Sequence, residues 1–212
     1  MDTVNVRFYP GPVSPRNAAP TVAAIVAAAG TLLESGGPDA VTLRSVGAAA
    51  GVSRSAAYRH YEDKADLLRA LAAKTLTELA TSIRRAAEPG GRHSRLHRGC
   101  AAYLAYALEQ PHHYQLIFGN TAVEQPDQEL ESAADDGMLA IRELVEHAQG
   151  EGELGAGPPR ELATVLWVLL HGLAQLQITG HLHEPRTIGG DTGLHELLTL
   201  ALAALHPARR PS

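Results

Sequence analysis

Between Arg44 and Tyr61 the chain carries Arg44, Arg54, Arg59 and His60 together with the hydroxyls of Ser45, Ser53, Ser55, Tyr58 and Tyr61, and no carboxylate. Arginine can contact guanine through two parallel hydrogen bonds, hydroxyls and helix N-termini hold phosphates, and an α-helix fits the major groove. Residues of these types on one exposed helix therefore suit duplex DNA. An αα-turn with a solvated basic face would show the same charges. The spacing of caps and turn favours the first reading. Thr42 can cap a short helix carrying Leu43, Val46, Ala49 and Ala50, Gly51 ends it, and Ser53 caps a second helix reaching about Tyr61. Small Ala48 to Ala50 would let the two helices approach, Gly51 permits the reversal and Val52 fills the angle between them. Arg54, Ser55, Tyr58, Arg59 and His60 are then left exposed.

Other chemistry is thinly represented. Of the eleven histidines, His181, His183 and His195 form the best cluster, but a metal site needs three or four converging ligands and nothing in the spacing supplies them. No glycine-rich phosphate loop, HExxH helix or nucleophile elbow occurs, so neither an enzyme nor a cofactor is predicted. The single cysteine, Cys100, excludes an internal disulfide and is expected as a small buried hydrophobe. Tyr103, Tyr106, Tyr114, Phe118, Trp167, His171 and Gln175 gather most of the aromatic and neutral polar groups beyond residue 74. That mixture suits an apolar small molecule with one or two polar handles, and equally a packed core with satisfied polar tips.

The elements that must position these residues are helices. Residues 1–20 are rich in Pro, Gly, Asn and Ser and are expected as a flexible arm. From Thr21, a good N-cap, Val22, Ile25, Val26, Ala29, Leu32 and Leu33 follow helical spacing until Gly36-Gly37-Pro38. A long helix from about Asp63 to Ala87 presents Leu67, Leu68, Leu71, Leu76, Leu79 and Ile83. Further helices are predicted roughly over 93–109, 112–118, 128–149, 160–181 and 193–205, and no strand. The formal charge is −5 overall, yet residues 1–74 hold eight basic and six acidic side chains against ten and seventeen in the remainder. Anion binding is therefore expected near the N-terminus. No secretion signal is apparent, and a cytoplasmic location is expected.

The stretch 162–182 has no formally charged residue and is long enough to span a bilayer. His171, Gln175, Gln177 and His181 place polar groups throughout its second half, and no Lys/Arg cluster flanks it. Apolar residues on all its sides, Leu166 to Leu170 among them, instead predict a helix buried against its own domain and against a second subunit.

The sequence resembles the TetR family of bacterial transcriptional regulators through Ile25 to Ala29, Gly37, Thr42-Leu43-Arg44, Ala50-Gly51-Val52-Ser53, and above all Tyr58-Arg59-His60-Tyr61 followed by Asp63-Lys64 and Leu67-Leu68. Gln110 to Phe118 and Trp167 to Gly172 look like the subgroup named for its Trp, His and Gly. The resemblance implies an all-helical dimer with an N-terminal helix-turn-helix domain and a C-terminal domain that dimerises and takes an effector. It places Thr42, Arg44, Arg54, Ser55, Ala56, Tyr58, His60 and Lys64 at positions that touch DNA, with Arg59 added. Val22 and Ala57 depart from the pattern, standing where a basic and a larger apolar residue are usual.

The expected organisation is an arm over 1–20, a DNA-binding domain over 21–68 and an effector and dimerisation domain over 69–212. The expected function is a repressor released from a pseudo-palindromic operator by a small, largely apolar effector, paired through the helices near 160–181 and 193–205. A helical protein anchored through 162–182 and an all-α enzyme are the alternatives. Sedimentation without detergent tests the first, and failure to bind duplex DNA would favour the second.

Overall fold

The computed structural model describes residues 18–119, 125–183 and 193–205, and among them it is all helical. The elements are α1 (Ala18–Ala40), α2 (Leu43–Ala49), α3 (Arg54–His60), α4 (Lys64–Ala86), α5 (Arg95–Glu109), α6 (Pro111–Phe118), α7 (Gln128–Gly150), α8 (Pro159–Ile178) and α9 (Leu194–Ala204). The greater part of the expected arm, residues 1–17, lies outside the described residues. Its last three residues are a correction: Ala18 to Pro20 already belong to α1, because alanine favours a helix and proline is tolerated in a first turn. Gly37 takes a left-handed φ of 67° and breaks α1 at the expected place, leaving Pro38 to Ala40 as a short turn.

Side-chain caps set the starts of α2, α3, α4, α5 and α7. The Thr42 hydroxyl accepts the Ser45 N–H and the Ser45 hydroxyl accepts the Thr42 N–H, a reciprocal pair at α2. Ser53, Asp63, Ser94 and Asp127 accept from the third helical residue of α3, α4, α5 and α7. Each such cap contributes about 1 kcal/mol.

Two apolar cores share α4. The first joins Ile25, Ala29 and Leu33 of α1, Val46 of α2 and Ala57 of α3 to Leu67 and Leu71 of α4, and Leu116 of α6 with Leu130 and Ala133 of α7 close it. The second begins one turn further along α4, at Leu79 and Ile83, and adds Cys100 and Tyr103 of α5, Ile141 and Leu144 of α7, Leu166 and Leu170 of α8, and Leu198 of α9. Arg84 ties α4 to α7 with two bonds of 2.8 and 2.9 Å to Asp136 and one of 2.9 Å to Glu143. Cys100 is fully buried and burial pushes its thiol up to about 12. α1 and α8 are each long and apolar enough to cross a membrane, and both turn a face into these cores.

α5 and α7 approach closely at Gly99, where a Cβ would stand 2.5 Å from Leu144 Cδ1. Gly99→Ala is expected to lower the unfolding free energy by about 1–3 kcal/mol through overpacking. In chemical denaturation, adding Leu144→Ala should cost less than the sum of the two single changes; strict additivity would place the strain elsewhere.

Candidate nucleic-acid interface and ligand cavity

The turn between α2 and α3 is closed by the Gly51 N–H to the Ala48 carbonyl at 3.2 Å and the Val52 N–H to the Gly47 carbonyl at 3.0 Å. Gly51 has φ 67°, a conformation that would cost any residue with a Cβ about 1–2 kcal/mol. Gly47 of α2 is buried, whereas Ala48 and Ala49, expected where the helices approach, are exposed. The helical period carries them past the contact to the outer face of α2.

Thr42, Arg44, Ser55, Tyr58 and Arg59 are exposed, and His60 and Lys64 are half-buried. Tyr58 is a large ring left 48% exposed, notable in a helix of seven residues. Arg54 opens α3, and its side chain lies outside the described atoms. Ala56 is corrected: it is 7% exposed, because it sits on the α3 face that packs inward together with Ala57. The outer faces of α2 and α3 thus offer cations and hydroxyls without a carboxylate, while Asp63 and Asp66 are engaged in capping α4 and in holding the Glu62 N–H and Arg69.

A cavity of about 460 Å³ lies where the two cores meet, lined by Leu76, Leu79 and Ile83 of α4, Leu116 to Phe118 of α6, Met138 and Ile141 of α7, and Tyr103, Thr164 and Trp167. No formally charged side chain lines it among the described residues. Of the seven residues expected at an effector site, Tyr103, Phe118 and Trp167 line this space. Tyr114 and His171 stand behind Tyr103: the Tyr103 and Tyr114 hydroxyls are 2.9 Å apart, and Tyr114 Oη is 2.8 Å from His171 Nδ1. Tyr106 and Gln175 are corrections. Tyr106 faces the other way and donates to Glu78 at 3.3 Å, and Gln175 on α8 is absent from the lining. Most of the wall is aliphatic, and sequence reasoning missed it because leucine and isoleucine at helical spacing look alike whether they fill a core or bound a void.

Residues 21–71 match the model of bacterial regulatory proteins of the tetR family. Residues 96–205 match the tetracyclin repressor-like C-terminal domain. The chain belongs to the TetR family. It is accordingly a DNA-binding transcriptional regulator and not an enzyme. A protein of unknown function from Rhodococcus sp. RHA1 is 28% identical, with a TM-score of 0.73 over 87% of this chain and 93% of that one. A TetR family transcription regulator from Marinobacter aquaeolei VT8 shares the fold at 18% identity and a TM-score of 0.61, covering 91% and 98%. The TetR family regulator PfmR from Thermus thermophilus does so at 16% and 0.58, covering 88% and 99%. No curated protein matches the chain.

In this TetR-family chain α6 grips α1 directly. The His112 ring donates from Nδ1 to the Glu34 carbonyl at 3.0 Å, and His113 donates from Nε2 to the Gly30 carbonyl at 3.3 Å. His113 Nδ1 lies 3.1 Å from the Thr75 hydroxyl of α4, which is also 2.8 Å from the Leu71 carbonyl and shares its one proton between them. One buried imidazole thus joins α1, α4 and α6. The remaining histidine cluster differs from the expected one: His195 packs on His97 and His93 at ring separations of 4.7 and 5.8 Å. Among the described residues no group of His, Cys, Asp or Glu is arranged to hold a metal.

Burial lowers the His113 pKa below the ordinary 6.5, against weaker raising effects from the Gly30 carbonyl, Glu34 and Glu78. A histidine held neutral in the fold stabilises above its unfolded pKa, and that contribution is lost as pH falls through the lower folded value. Denaturation midpoints should therefore decline from pH 7 downward through 6.5, and His113→Gln, which keeps a donor for Gly30, should flatten the decline. An unchanged slope in the variant would assign the pH dependence to other groups.

Proposed function

We propose that this chain is a homodimeric repressor, released from a pseudo-palindromic operator by a small, largely apolar effector held in the cavity between the two cores. The single observation that carries the release is the position of that cavity. Its wall includes Leu76, which belongs to the core of the DNA-binding head, and Leu79, which belongs to the other core, on successive turns of α4. A ligand wedged there acts on one helix that both domains share. It can shift the separation of the heads only by binding one arrangement better than the other.

Pairing is supported by the outer faces of the last two helices. Val165 and Val168 of α8 are 52% and 58% exposed, and Leu200 of α9 is 63% exposed, apolar surface that a second copy would cover. Two copies of α3 would then enter successive major grooves, with half-sites roughly 34–36 Å or a multiple apart. The assignment of residues 21–68 to DNA binding and 69–212 to effector binding and pairing, and the cytoplasmic location, belong to the same reading. Thr42, Arg44, Arg54, Ser55, Tyr58, Arg59, His60 and Lys64 are the proposed DNA contacts, with Ala56 contributing at most through its backbone.

Affinity for duplex DNA from the chain's own promoter region should fall linearly on a double-logarithmic salt plot. Lys64→Ala should weaken all sequences alike and reduce the slope by about one, while Arg54→Ala should cost about 1–3 kcal/mol at particular base pairs. Equal losses for Arg54→Ala on operator and random DNA would remove it from base reading. A wild-type protein that sediments as a monomer at micromolar concentration and binds its promoter tightly would overturn the dimeric reading.

A further inference from the structure

Three imidazoles from three segments meet where α9 packs on α5. His97 of α5 is the buried member, while His93 and His195 are exposed. His93, from the turn before α5, stacks on His97 with ring centres 4.5 Å apart. His195 of α9 meets the two rings edge-on, at 4.7 Å from His97 and 5.8 Å from His93. His97 Nε2 also stands 3.2 Å from the hydroxyl of Thr199, one turn further along α9. Between His195 and Thr199 in sequence, Leu198 is fully buried and anchors α9 in the second core.

Neutral rings stack at these separations, whereas imidazolium rings repel, the more so where burial limits screening. Among the described residues no carboxylate offsets that repulsion. The charges that act on His97 are those of His195 and His93, and Glu196, next to His195 on α9, is not among them. The nearby arginines of α5 are turned to other partners: Arg95 stands 3.9 Å from Glu151, and Arg98 donates to the carbonyls of Ala86, Glu88 and His93. We propose that this cluster is an acid-sensitive clasp: as its rings take up protons, α9 lifts from α5 and takes the Leu200 side of the pairing face with it. The second half of that statement rests on the reading of α8 and α9 as the pairing surface. Burial first, and then His195 and His93, lower the His97 pKa below the ordinary 6.5 while α9 is docked. A ring freed by undocking returns toward that value, so docking is strongest above it and weakens as pH falls through the lower docked value. The bond to Thr199 survives protonation, since an imidazolium N–H can donate to the hydroxyl oxygen, and the opening therefore comes from charge.

Hydrogen exchange of the full-length protein at pH 7.5 and 5.5, corrected for the intrinsic effect of pH on exchange, reads α9 separately from the rest of the fold. Each proton linked to undocking weakens docking by up to about tenfold per pH unit. Protection of the amides of Leu198 to Ala204 should therefore fall at least about tenfold over this interval relative to those of α5. His97→Gln, which keeps a partner for Thr199, should hold the fall within about threefold, and His113→Gln should leave it as in the wild type. Sedimentation of the same samples should show a dimer at pH 7.5 that shifts toward monomer at pH 5.5, except in His97→Gln. Protection of α9 that is steady between the two pH values, that is lost in step with α5 and α8, or that falls as far in His97→Gln would overturn the clasp. A wild type that is monomeric at both pH values would overturn the pairing reading, while the exchange of α9 still decides the clasp. Should His97→Gln fail to fold, His195→Gln takes its place at an exposed position, and an unaltered fall in that variant would equally overturn the proposal.

Discussion

One helix has to satisfy two cores. α4 carries Leu67, Leu71, Ala72 and Leu76 into the DNA-binding head and Leu79, Ala80 and Ile83 into the C-terminal core, with no break in its backbone from Lys64 to Ala86. A rigid helix of 23 residues transmits a tilt from one end to the other. The head cannot complete its own interior without Leu116, Leu130 and Ala133 from beyond residue 100. Neither part is packed independently of the other, and a displacement in one must be accommodated in the other, since close-packed interiors are poorly compressible.

The cavity is walled by residues of both cores. Filling it presses on α4 from one side and on Leu116 to Phe118 of α6 from the other, and α6 in turn holds the carbonyls of Gly30 and Glu34 at the end of α1 through His112 and His113. The head is thus reached by two routes, one through the shared helix and one through a pair of histidine hydrogen bonds. The Arg84 fork to Asp136 and Glu143 restrains α4 against α7 further along. Its side chains are more than one-third exposed, so its role is alignment more than stability.

The exposed surface of α2 and α3 follows a different logic. α2 and α3 are each seven residues long, too short to be stable alone, and they persist because caps and the buried Leu43, Val46, Ala57 and Tyr61 fix them to the head. What remains outside is whatever the inward packing did not use. Arg44, Ser55, Tyr58 and Arg59 are outward because Val46, Ala56 and Ala57 are inward, and the absence of carboxylates from this stretch does the rest.

Much of this was legible in the residues. Ser/Thr/Asp caps, the Gly51 turn and the helical spacing of Leu67, Leu71 and Leu79 act over four residues or a few turns, where the sequence alone dictates geometry, and the basic, acid-free stretch from Arg44 to Tyr61 is a property of composition. Tertiary packing decided the rest. Spacing states which residues share a face of a helix but not which neighbour that face will meet. Tyr103 and Tyr106 stand three apart on α5, yet the first borders the cavity and the second turns to Glu78, because α4 passes between the two directions. Gly47 is buried and Ala48 and Ala49 are exposed, since the packing of α2 on its neighbours set which face of it turns inward. The cavity itself is a gap between helices distant in sequence, and no local pattern of side chains encodes a place where packing fails to close.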